Sequence, residues 1–565
     1  MEATNENAPA SAAPSGASPT AEEGNGARWR RAGAPVAAVV RVAGTLRLAE
    51  PLHLGGTGGD EPENVSDLPL LTDPRSGRPL LPGTTLAGAL RSYLDARERG
   101  FPAGRAGEKS EERGDMLATA LFGGGGGAGD PAPSAVRVDD ALGEMPGGAS
   151  VETYMGNRLS GPARTAAEGA LYSRTTWPAG TTFDLHFELP LPADRQRAAR
   201  YCTALVSALR GLDAGEQAGV RLGGRKRRGF GRVDVEEWRL GAFDLSDPEG
   251  LLDWVYEGGQ PLAEIDSRRC GSAEALGEAL GDVLVEEGGA DGKAGGAHVI
   301  PDARKLFFVE ARCALPHGLL DRTAGTTGEP DVAHRRAYDA ERGEERPVLT
   351  GTQVGGALRA QAHRIARALG PEGEAEALVE AVFGSAPERE ELRAGRLWID
   401  RSFVEGEERE RTGLMDLVQN RIRLDPWTQA PARGALFDER PVRGGEDVEV
   451  TLRWQLDQPR PAEVGLLLHL LKDLWSGDLA VAGTQSIGRG QFRGRKATLA
   501  LREGPESVQA WTFEATGEDG PGLRFEQGTP EDLSRYAAAL TDHLSATPAD
   551  SDASAPAHSA SSDSE

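Results

Sequence analysis

Residues 79–94 read PLLPGTTLAGALRSYL, and residues 347–362 read PVLTGTQVGGALRAQA. The two stretches match without a gap at eight of sixteen positions, including a Gly-Thr pair and a Gly-Ala-Leu-Arg run. In the first stretch, Thr84 or Thr85 is predicted to cap a helix, because leucines follow at helical spacing. The repeat indicates two related domains in one chain.

Further landmarks recur in the same order in the two halves of the chain. They are Phe-Gly at 122–123 and 383–384, Gly-Ala-Leu plus an aromatic residue at 169–172 and 434–437, and a Gly-rich loop at 224–231 and 483–490. Matches that keep their order are much harder to obtain by chance than any single motif. The duplication therefore extends over most of each half.

The composition is that of a globular protein. Of 565 residues, 38% are hydrophobic, the mean hydropathy is −0.43, and no apolar run approaches the ~20 residues that a membrane span needs. The N-terminus lacks the basic and apolar regions of a secretory signal, so a cytoplasmic location without membrane contact is expected. Cys202, Cys270 and Cys313 have no paired spacing, which argues against a structural zinc site and a disulfide framework.

The charge is unevenly distributed. A formal net charge of −25 argues against a nucleic-acid partner. Residues 221–232 (RLGGRKRRGFGR), however, carry six basic side chains and no acid. Because a phosphate chain responds to the local field, this loop is a candidate nucleic-acid contact. A solvated surface loop is the plain alternative.

Each half is predicted to run strand, loop, helix, strands with an inserted arm, helix, Gly-rich loop, strand. In the first half the segments are a strand at 36–48, a loop at 51–81, an arm at 151–175, a strand at 183–189, a helix at 194–210 and a strand at 232–240. In the second half they are a strand at 305–315, an arm at 411–433, a strand at 448–454 and a helix at 462–475, with a helical piece near 273–286 between the halves. This order predicts an α+β fold on a ferredoxin-like β-α-β-β-α-β plan with insertions. Single-stranded RNA is a frequent ligand of such sheets.

The motifs DPRSGRPLLPGTTLAGALR, LFG, GALYSRTTWPAGTTF and GGRKRRGFGRV together resemble the RAMP superfamily of CRISPR-associated proteins. The likeness is greatest to backbone subunits of type III RNA-targeting effector complexes, and it covers 36–240 strongly and 303–495 more loosely. It implies two tandem ferredoxin-like (RRM-like) RAMP domains with inserted β-arm (thumb) segments and long loops. The expected division is a disordered tail at 1–28, a first domain at 29–243, a connector at 244–300, a second domain with a C-terminal extension at 301–545, and a disordered acidic tail at 546–565.

The resemblance implies a protein that grips a CRISPR guide RNA while its arms wedge into the duplex of guide and complementary target RNA. Other CRISPR effector subunits are the further implied partners. Unpaired N–H groups at the two helix starts and the Gly-rich loops are the expected phosphate contacts. The predicted RNA-binding residues are Gly83, Thr84, Thr85, Arg91, Gly224, Arg225, Lys226, Arg227, Arg228, Gly229, Gly231, Gly351, Thr352, Arg359, Gly483, Thr484, Gln485, Ser486, Gly488 and Arg489.

In the family's cleaving members, a loop aspartate six residues before an Asp-Pro pair supports metal-dependent cleavage of the target RNA. Counting back from Asp73-Pro74 gives Asp67, with Asp60, Glu61 and Glu63 as competitors and a plain loop acid as the alternative. The implied cofactor is Mg²⁺ or Mn²⁺, without a permanent metal site in the protein. The same count from Asp339 gives Ala333, and Asp331, two positions further back, is a doubtful second site.

Among the other candidates, His334 is kept as a possible RNA contact because two arginines follow it. Trp177, Trp427 and Phe437 lie in or just after the arms and can stack on bases, although core packing is an equal alternative for each. Two other functions stay open. One is a non-catalytic structural RNA-binding and assembly subunit of the same kind of complex. The other is an endoribonuclease that processes precursor guide RNA, against which the lack of a convincing acid–base cluster counts.

Overall fold

The computed structural model describes residues 36–55, 69–101, 116–124, 133–156, 172–216, 218–286, 297–324, 330–385, 392–406, 418–516 and 522–545. The predictions for the tails at 1–28 and 546–565, and for Asp67 with its competitors Asp60, Glu61 and Glu63, lie outside these residues. Below, the first half means the described residues up to 300, and the second half means those from 301 onward.

The first half is built around a long central strand. Its elements are β1 (Val36–Leu48), β2 (Leu80–Leu81), α1 (Gly83–Arg99), α2 (Leu117–Phe122), β3 (Arg137–Val138), β4 (Ala141–Glu144), β5 (Glu152–Gly156), β6 (Tyr172–Thr176), β7 (Thr182–Pro192), α3 (Arg195–Leu209), β8 (Val233–Asp244), α4 (Pro248–Glu257), β9 (Arg268–Cys270) and α5 (Ala273–Glu286). Strand β1 pairs antiparallel with β7 and with β8, and the sheet runs β2-β4-β7-β1-β8-β9. Strands β5 and β6 form a separate hairpin.

The second half repeats this arrangement and adds to it. Its elements are β10 (Leu306–Leu315), β11 (Arg322–Ala324), β12 (Val332–His334), β13 (Arg336–Asp339), β14 (Glu344–Leu349), α6 (Gly351–Leu369), α7 (Glu372–Phe383), β15 (Leu397–Ile399), β16 (Ser402–Glu405), β17 (Gln419–Leu424), β18 (Pro431–Arg440), β19 (Gly445–Asp457), α8 (Pro461–Ser476), β20 (Arg493–Arg502), β21 (Val508–Thr516), β22 (Gly522–Gln527) and α9 (Pro530–Ser545). The sheet runs β13-β14-β16-β19-β10-β20-β21-β22, and β17 and β18 pair in a second sheet.

Each half has its own hydrophobic core. One core holds buried residues from Ala38 to Ala297, and the other holds buried residues from Phe307 to Leu544. In the second, strand β19 buries alternate side chains, as its period-two pattern predicts. Part of the predicted connector, including α5, packs into the first core. The domain boundaries themselves stay a prediction.

Several predicted elements are confirmed at their bounds. Strand β1 occupies 36–48, helix α5 occupies 273–286, and helices α3 and α8 lie within one residue of 194–210 and 462–475. The predicted N-cap of helix α1 is wrong. Helix α1 begins at Gly83, with Pro82 in the N-cap position and no side-chain cap, so neither Thr84 nor Thr85 serves as the N-cap. In the second copy it is Thr350 that caps, by accepting from the Gln353 N–H.

No helix of the described part is long and apolar enough to cross a membrane. Cys202, Cys270 and Cys313 are buried free thiols, and burial raises the pKa of Cys202 to about 12. Burial also raises the pKa of Cys313 to about 12. These cysteines are packing residues.

Candidate nucleic-acid interface

The two Gly-rich loops have the same backbone path. In each, two N–H groups of the loop donate to carbonyls of the segment after the first long strand: Gly224 to His53 (3.0 Å) and Gly231 to Pro51 (2.8 Å), Gly483 to Leu320 (2.9 Å) and Gly490 to Gly318 (2.8 Å). Left-handed residues fall at matching places, with φ of 54° at Arg225 and 58° at Thr484. Residues 224–231 and 483–490 are therefore structurally equivalent.

Glycine is required at the end of each loop by a close backbone approach. A Cβ on Gly231 would lie 1.9 Å from the Leu222 carbonyl oxygen, and one on Gly490 would lie 1.9 Å from that of Val481. Both glycines also have positive φ, which L side chains rarely adopt. The recurrence of glycine here follows from the loop's own geometry.

The first Gly-rich loop packs on the second half of the chain. Its Arg228 carbonyl oxygen would be 2.7 Å from a Cβ on Gly351, at the start of α6. The Arg228 Nη1 would be 2.2 Å from a Cβ on Gly355, one turn later. A Cβ on Gly229 would meet the Arg401 backbone nitrogen at 2.6 Å. Gly351 and Gly355 thus leave room for Arg228 to pack against the surface of α6.

Several arginines of the basic run bind side chains of the second half. Arg221 donates to Asp400 (2.7 Å), and Arg232 lies 3.8 Å from the same carboxylate. Arg227 lies over the Trp398 ring, 5.0 Å from its centroid. Burial lowers the pKa of Arg227, which Asp457 partly offsets. The sequence did not predict this role for the run, because the acceptor Asp400 lies 179 positions away from Arg221 in the chain.

Of the predicted RNA-binding residues in this loop, Arg225 is exposed, whereas Lys226, Arg227 and Arg228 are half-buried. Burial lowers the pKa of Lys226, and the Arg227 charge lowers it further. Gly224 is also half-buried, and a Cβ on it would lie 3.6 Å from Arg174 Nη1. The loop therefore presents one exposed cation to solvent and directs others to the second half.

A buried ion pair lies beside this contact. Arg401, only 8% exposed, pairs with Glu50, which is 7% exposed. The guanidinium also lies 5.0 Å from the centroid of the Phe403 ring. Burial alone would lower the pKa of Arg401, but Glu50, Tyr154 and Glu152 together outweigh burial, so the pKa is raised. Arg401 is a charged residue of the second half held in a pocket of the first.

The base of the β5–β6 hairpin completes this interface. The Tyr154 hydroxyl donates to Glu152 Oε2 (2.7 Å), and Glu152 Oε1 accepts from the Tyr338 N–H (3.0 Å). Arg335 lies 4.7 Å from the Tyr154 ring centroid, and Tyr154 packs edge-on against Phe230. The first hairpin is thus anchored on strand β13 and the residue before it.

The first helix start differs from its prediction, and the second has a buried acid beside its N-cap residue. The Gly83 N–H donates to Asp140 Oδ1 (2.7 Å), so the expectation of an unpaired N–H there is wrong. In the second half, Asp321 Oδ2 accepts from the Thr350 N–H (3.1 Å) and hydroxyl (2.8 Å). Gly351 is buried beneath Ile399 and Arg228. The partners of both starts come from distant segments.

Other predicted contacts on α1 and α6 vary in exposure. Thr84 and Thr352 are exposed, whereas Thr85 and Arg91 are half-buried. Arg359 donates to the Gly384 carbonyl (3.0 Å), where it satisfies the end of α7. Arg359 therefore has a structural bond that its repeat motif did not predict.

The second Gly-rich loop faces a cavity instead of another domain. Gln485, Ser486 and Ile487 are exposed, and Arg489 is buried, donating to Glu439 (2.8 Å) and Gln419 (2.9 Å). The adjacent cavity measures about 520 Å³ and is lined by His317, Gly318, Gln419, Arg421, Pro441, Val442, Arg443, Gly444, Ile487, Gly488 and Arg489.

A carboxylate is shared by two arginines in the wall of this cavity. Glu439 accepts from Arg421 Nε (2.6 Å) as well as from Arg489. Burial opposes ionisation of Glu439, but the two guanidinium groups hold its pKa below the usual range. With Arg443 exposed nearby, the cavity is basic overall.

The β17–β18 hairpin has an apolar, exposed surface. Trp427, in the turn, is 92% exposed, and Leu436 and Ile422 are 69% and 51% exposed. Phe437 is 37% exposed. Trp177, by contrast, is 4% exposed in the first core, so core packing is its role.

Asp331 lies at the base of this hairpin. It is exposed, and its Oδ2 accepts from the Asp438 N–H (3.1 Å). The backbone of Arg335, four residues further on, makes two bonds. Its N–H donates to the Asp321 carbonyl (2.8 Å), and its carbonyl accepts from the Val348 N–H (3.0 Å). In the first half, Leu71 makes the same pair of bonds, to Leu54 (2.9 Å) and from Leu80 (3.2 Å).

These bonds set the register between the two loops. Asp331 precedes Arg335 by four positions, as Asp67 precedes Leu71. Asp73 follows Leu71 by two positions, whereas Asp339 follows Arg335 by four. The β13–β14 hairpin of the second half therefore has two more residues before its turn than the equivalent segment of the first half. The count from that turn therefore reached Ala333, which is buried in β12, whereas Asp331 has the same sequence offset from Arg335 as Asp67 has from Leu71.

The prediction of His334 as an RNA contact is wrong. The side chain is 4% exposed, and its Nδ1 accepts from the Asp321 N–H (3.1 Å). Burial lowers the pKa of His334 to about 3. It is a neutral core histidine whose partner lies across the β11–β12 pair.

A family model of the RAMP superfamily matches residues 45–234 and 334–493, more than half of the chain. No curated protein matches the sequence significantly. The two matched regions contain the two equivalent Gly-rich loops, helix starts and hairpins described above. The chain therefore belongs to the RAMP superfamily and carries two RAMP domains in tandem.

Proposed function

We propose that this protein is a guide-RNA-binding backbone subunit of a type III-like CRISPR effector complex, and that it cleaves guide-complementary target RNA. RAMP membership supports a CRISPR-associated RNA-binding subunit. The observation that carries the finer proposal is an exposed carboxylate, Asp331, at the base of an apolar hairpin; its sequence offset from Arg335 equals that of Asp67 from Leu71. Binding and chemistry then belong to adjacent parts of one arm.

The strand order supports a ferredoxin-like plan for each domain. The central order is β8-β1-β7-β4 in the first and β20-β10-β19-β16 in the second. In each domain, the first long strand lies between the strand that precedes α3 or α8 and the strand that follows that helix, as the β-α-β-β-α-β plan requires. The hairpins β5–β6 and β17–β18 are the insertions that we assign as thumbs.

RNA binding is compatible with the net charge of −25 because the cations are concentrated locally. Arg225 is exposed on the first Gly-rich loop, and Arg443 is exposed beside the second. The buried Arg489 contributes to the same basic cavity. These groups bind a phosphate backbone without reading sequence, as a subunit serving many guides requires.

For cleavage, we propose that the ribose 2′-oxygen of the target attacks the adjacent phosphorus while the 5′-oxygen leaves. The products are a 2′,3′-cyclic phosphate and a 5′-hydroxyl end, whose oxygen takes its proton from solvent water. Asp67 and Asp331 each act at one cut, holding a metal ion or accepting the proton of the attacking hydroxyl. The apolar hairpin beside Asp331 separates the bases there and frees the backbone to reach an in-line geometry.

A divalent ion fits this arrangement as a site shared with the substrate. Within the described ranges, no group of three or more His, Cys, Asp or Glu side chains can hold a metal alone. Mg²⁺ commonly binds through one or two carboxylates plus substrate phosphates and water, and Asp331 supplies one exposed carboxylate. Mg²⁺ or Mn²⁺ bound there stabilises charge on the phosphate.

Replacing Trp427 with Ala should weaken binding of a guide–target duplex by about 5- to 100-fold, since one stacking contact is worth about 1–3 kcal/mol. Folding should be unchanged, because the side chain is 92% exposed. Fluorescence anisotropy with labelled duplex measures the affinity. Tyr256→Ala is the matched control, since Tyr256 is 72% exposed on α4, away from this hairpin. Equal affinities of the two variants would remove Trp427 from the RNA contact.

A non-catalytic assembly subunit is the second candidate, favoured by the many arginines of the basic run that serve the contact between the halves. Incubating the guide-loaded protein with complementary RNA and Mg²⁺, with and without EDTA, separates the two. A structural subunit leaves the target whole, whereas a cleaving subunit produces discrete fragments only when the metal is present.

A further inference from the structure

Helix α4 presents an apolar surface to solvent. Its exposed apolar side chains, with their exposed fractions, are Leu251 (46%), Leu252 (54%), Val255 (68%) and Tyr256 (72%). Residues three and four positions apart are neighbours on a helix surface, so these four side chains form one continuous patch, which we call the α4 patch. A contiguous apolar patch of this kind marks a contact surface.

The opposite side of α4 holds the helix in place. Trp254 packs edge-on against Phe243 of β8, with the ring centroids 5.2 Å apart. Arg41 Nη1 donates to the Gln260 carbonyl (2.7 Å) just after the helix, and the Asp247 side chain caps its start. These contacts turn the α4 patch toward solvent, so a partner would meet a preformed surface.

Acidic side chains line one edge of the α4 patch. Glu249, Asp253 and Glu257 recur at four-residue spacing along the helix. Glu249 lies one turn before Leu252, and Asp253 lies one turn before Tyr256. Glu249 and Asp253 are exposed. A partner of this surface therefore needs an apolar group together with positive charge, and a phosphate backbone is repelled.

The chain carries a segment of this kind directly before β1. Residues 28–35, which precede the described residues, read RWRRAGAP, with three arginines, one tryptophan and no acid. No other basic or aromatic residue occurs among the first 35 positions. The segment has both the apolar group and the positive charge that the α4 patch requires.

The segment joins the described chain next to α4. Strand β1 begins at Val36, and the Ala37 carbonyl accepts from the Leu245 N–H (2.7 Å), two positions before the Asp247 cap. Trp29 precedes Val36 by seven positions, which span at most about 23–25 Å when extended. Helix α4 has ten residues and is about 15 Å long. Trp29 can therefore reach the α4 patch while β1 stays in its sheet.

We propose that residues 28–35 fold back on α4 of the same chain, with Trp29 on the α4 patch and the flanking arginines beside Glu249 and Asp253. The contact removes the indole and the patch from water. A short tether gives an effective concentration on the order of millimolar, which favours the segment of the same chain over that of a second copy. The contact requires neither guide RNA nor cleavage.

Limited trypsin digestion of the nuclease-treated full chain measures this contact, because trypsin cuts after arginine. Mass spectrometry of the released peptide gives the rate of cutting after Arg31. The wild-type rate should be low, since a docked segment must leave α4 before it enters the protease. Leu252→Glu on the helix and Trp29→Ala on the segment should each raise the rate at least about tenfold, or about 1.4 kcal/mol.

Matched substitutions elsewhere serve as controls. Val508, on β21, is 60% exposed, so Val508→Glu introduces the same charge at a similar exposure and should be cut like the wild type. Asp253→Arg reverses a charge beside the α4 patch and should raise the rate. Asp542→Arg reverses an exposed charge on α9 and should not. Thermal unfolding followed by circular dichroism should be alike for these exposed positions.

A cysteine pair identifies the occupant of the α4 patch. Ala32→Cys with Val255→Cys keeps Trp29 and the arginines, and the native cysteines are all buried. Mild oxidation should form a disulfide within one chain, which peptide mapping detects. Ala32→Cys with Val508→Cys should stay unlinked.

Three results would overturn the proposal. One is fast cutting after Arg31 in the wild type, at the rate of the Leu252→Glu variant. Another is a disulfide that joins two chains on a non-reducing gel, which would assign the α4 patch to the segment of a second copy. The third is protection that appears only when guide RNA is bound, which would assign the arginines to the RNA.

Discussion

Replacing Arg401 with Met should lower the free energy of unfolding by about 3–5 kcal/mol, as is typical when a buried ion pair loses one partner. Arg401 and Glu50 are 8% and 7% exposed, and the substitution leaves the Glu50 carboxylate in the pocket without its guanidinium. Chemical denaturation followed by intrinsic fluorescence measures the change. The loss should appear in the transition that reports on the contact between the halves.

The control for this variant is an exposed ion pair. Arg453 pairs with Glu310, and both side chains are about half exposed, so Arg453→Met should cost below about 1 kcal/mol. Adding Glu50→Leu to Arg401→Met removes the uncompensated charge and should recover much of the lost stability. Equal effects of the Arg401 and Arg453 substitutions would mean that the buried pair does not stabilise the contact.

Converting both Asp67 and Asp331 to Ala should leave a guide-complementary target RNA uncut in Mg²⁺, while guide binding persists. Each single variant should lose one cut, slowed by about 10²–10⁴-fold, the usual contribution of a positioned proton acceptor. Mapping the 5′ ends of the fragments on a denaturing gel assigns each cut to its aspartate. The fragments should carry 5′-hydroxyl ends.

Matched acids in the same loops serve as controls for the cleavage variants. Asp60→Ala changes another acid of the first loop, and Glu341→Ala changes an exposed acid of the β13–β14 turn. Both should cut like the wild type. If only the variants that lack Asp67 lose a cut, and Asp331→Ala cuts like the wild type, the chemistry is restricted to the first domain. Undiminished cutting by the double variant would remove both aspartates from the mechanism.

Local pattern predicted the elements well because their causes are local. The β-branched run of β1 and the helical apolar spacing of α3, α5 and α8 fix their own conformation, and their bounds agree with the structure. The duplicated Gly-rich loops were also predictable, since glycine there is imposed by contacts within each loop.

Features that depend on distant partners were missed or misplaced. The Gly83 N–H donates to Asp140, which lies 57 positions away in sequence. The residues around Gly83 therefore could not show that this N–H, expected to contact phosphate, is already paired. His334 is followed by arginines, yet the fold buries it. The basic run predicted a charged surface, but which of its arginines turn toward Asp400 and Trp398 depends on the second half.

The candidate acid Asp331 shows a third kind of limit. Counting from Asp339 assumes that both hairpins have equal length, and two extra positions displace the count to Ala333. The backbone bonds of Arg335 and Leu71 show that these two residues are equivalent, and Asp331 has the same sequence offset from Arg335 as Asp67 has from Leu71. Register in paired strands is set by hydrogen bonds and by the buried face, which a count from a turn does not include.

The central claim is that this tandem RAMP protein holds a guide RNA, and the RNA that copurifies with it tests this most directly. The protein should be expressed with its native CRISPR array, purified in moderate salt, and its bound nucleic acid sized and sequenced. We expect a discrete short RNA with a constant end derived from the repeat. Protein free of nucleic acid, or RNA of random length and sequence, would contradict the claim.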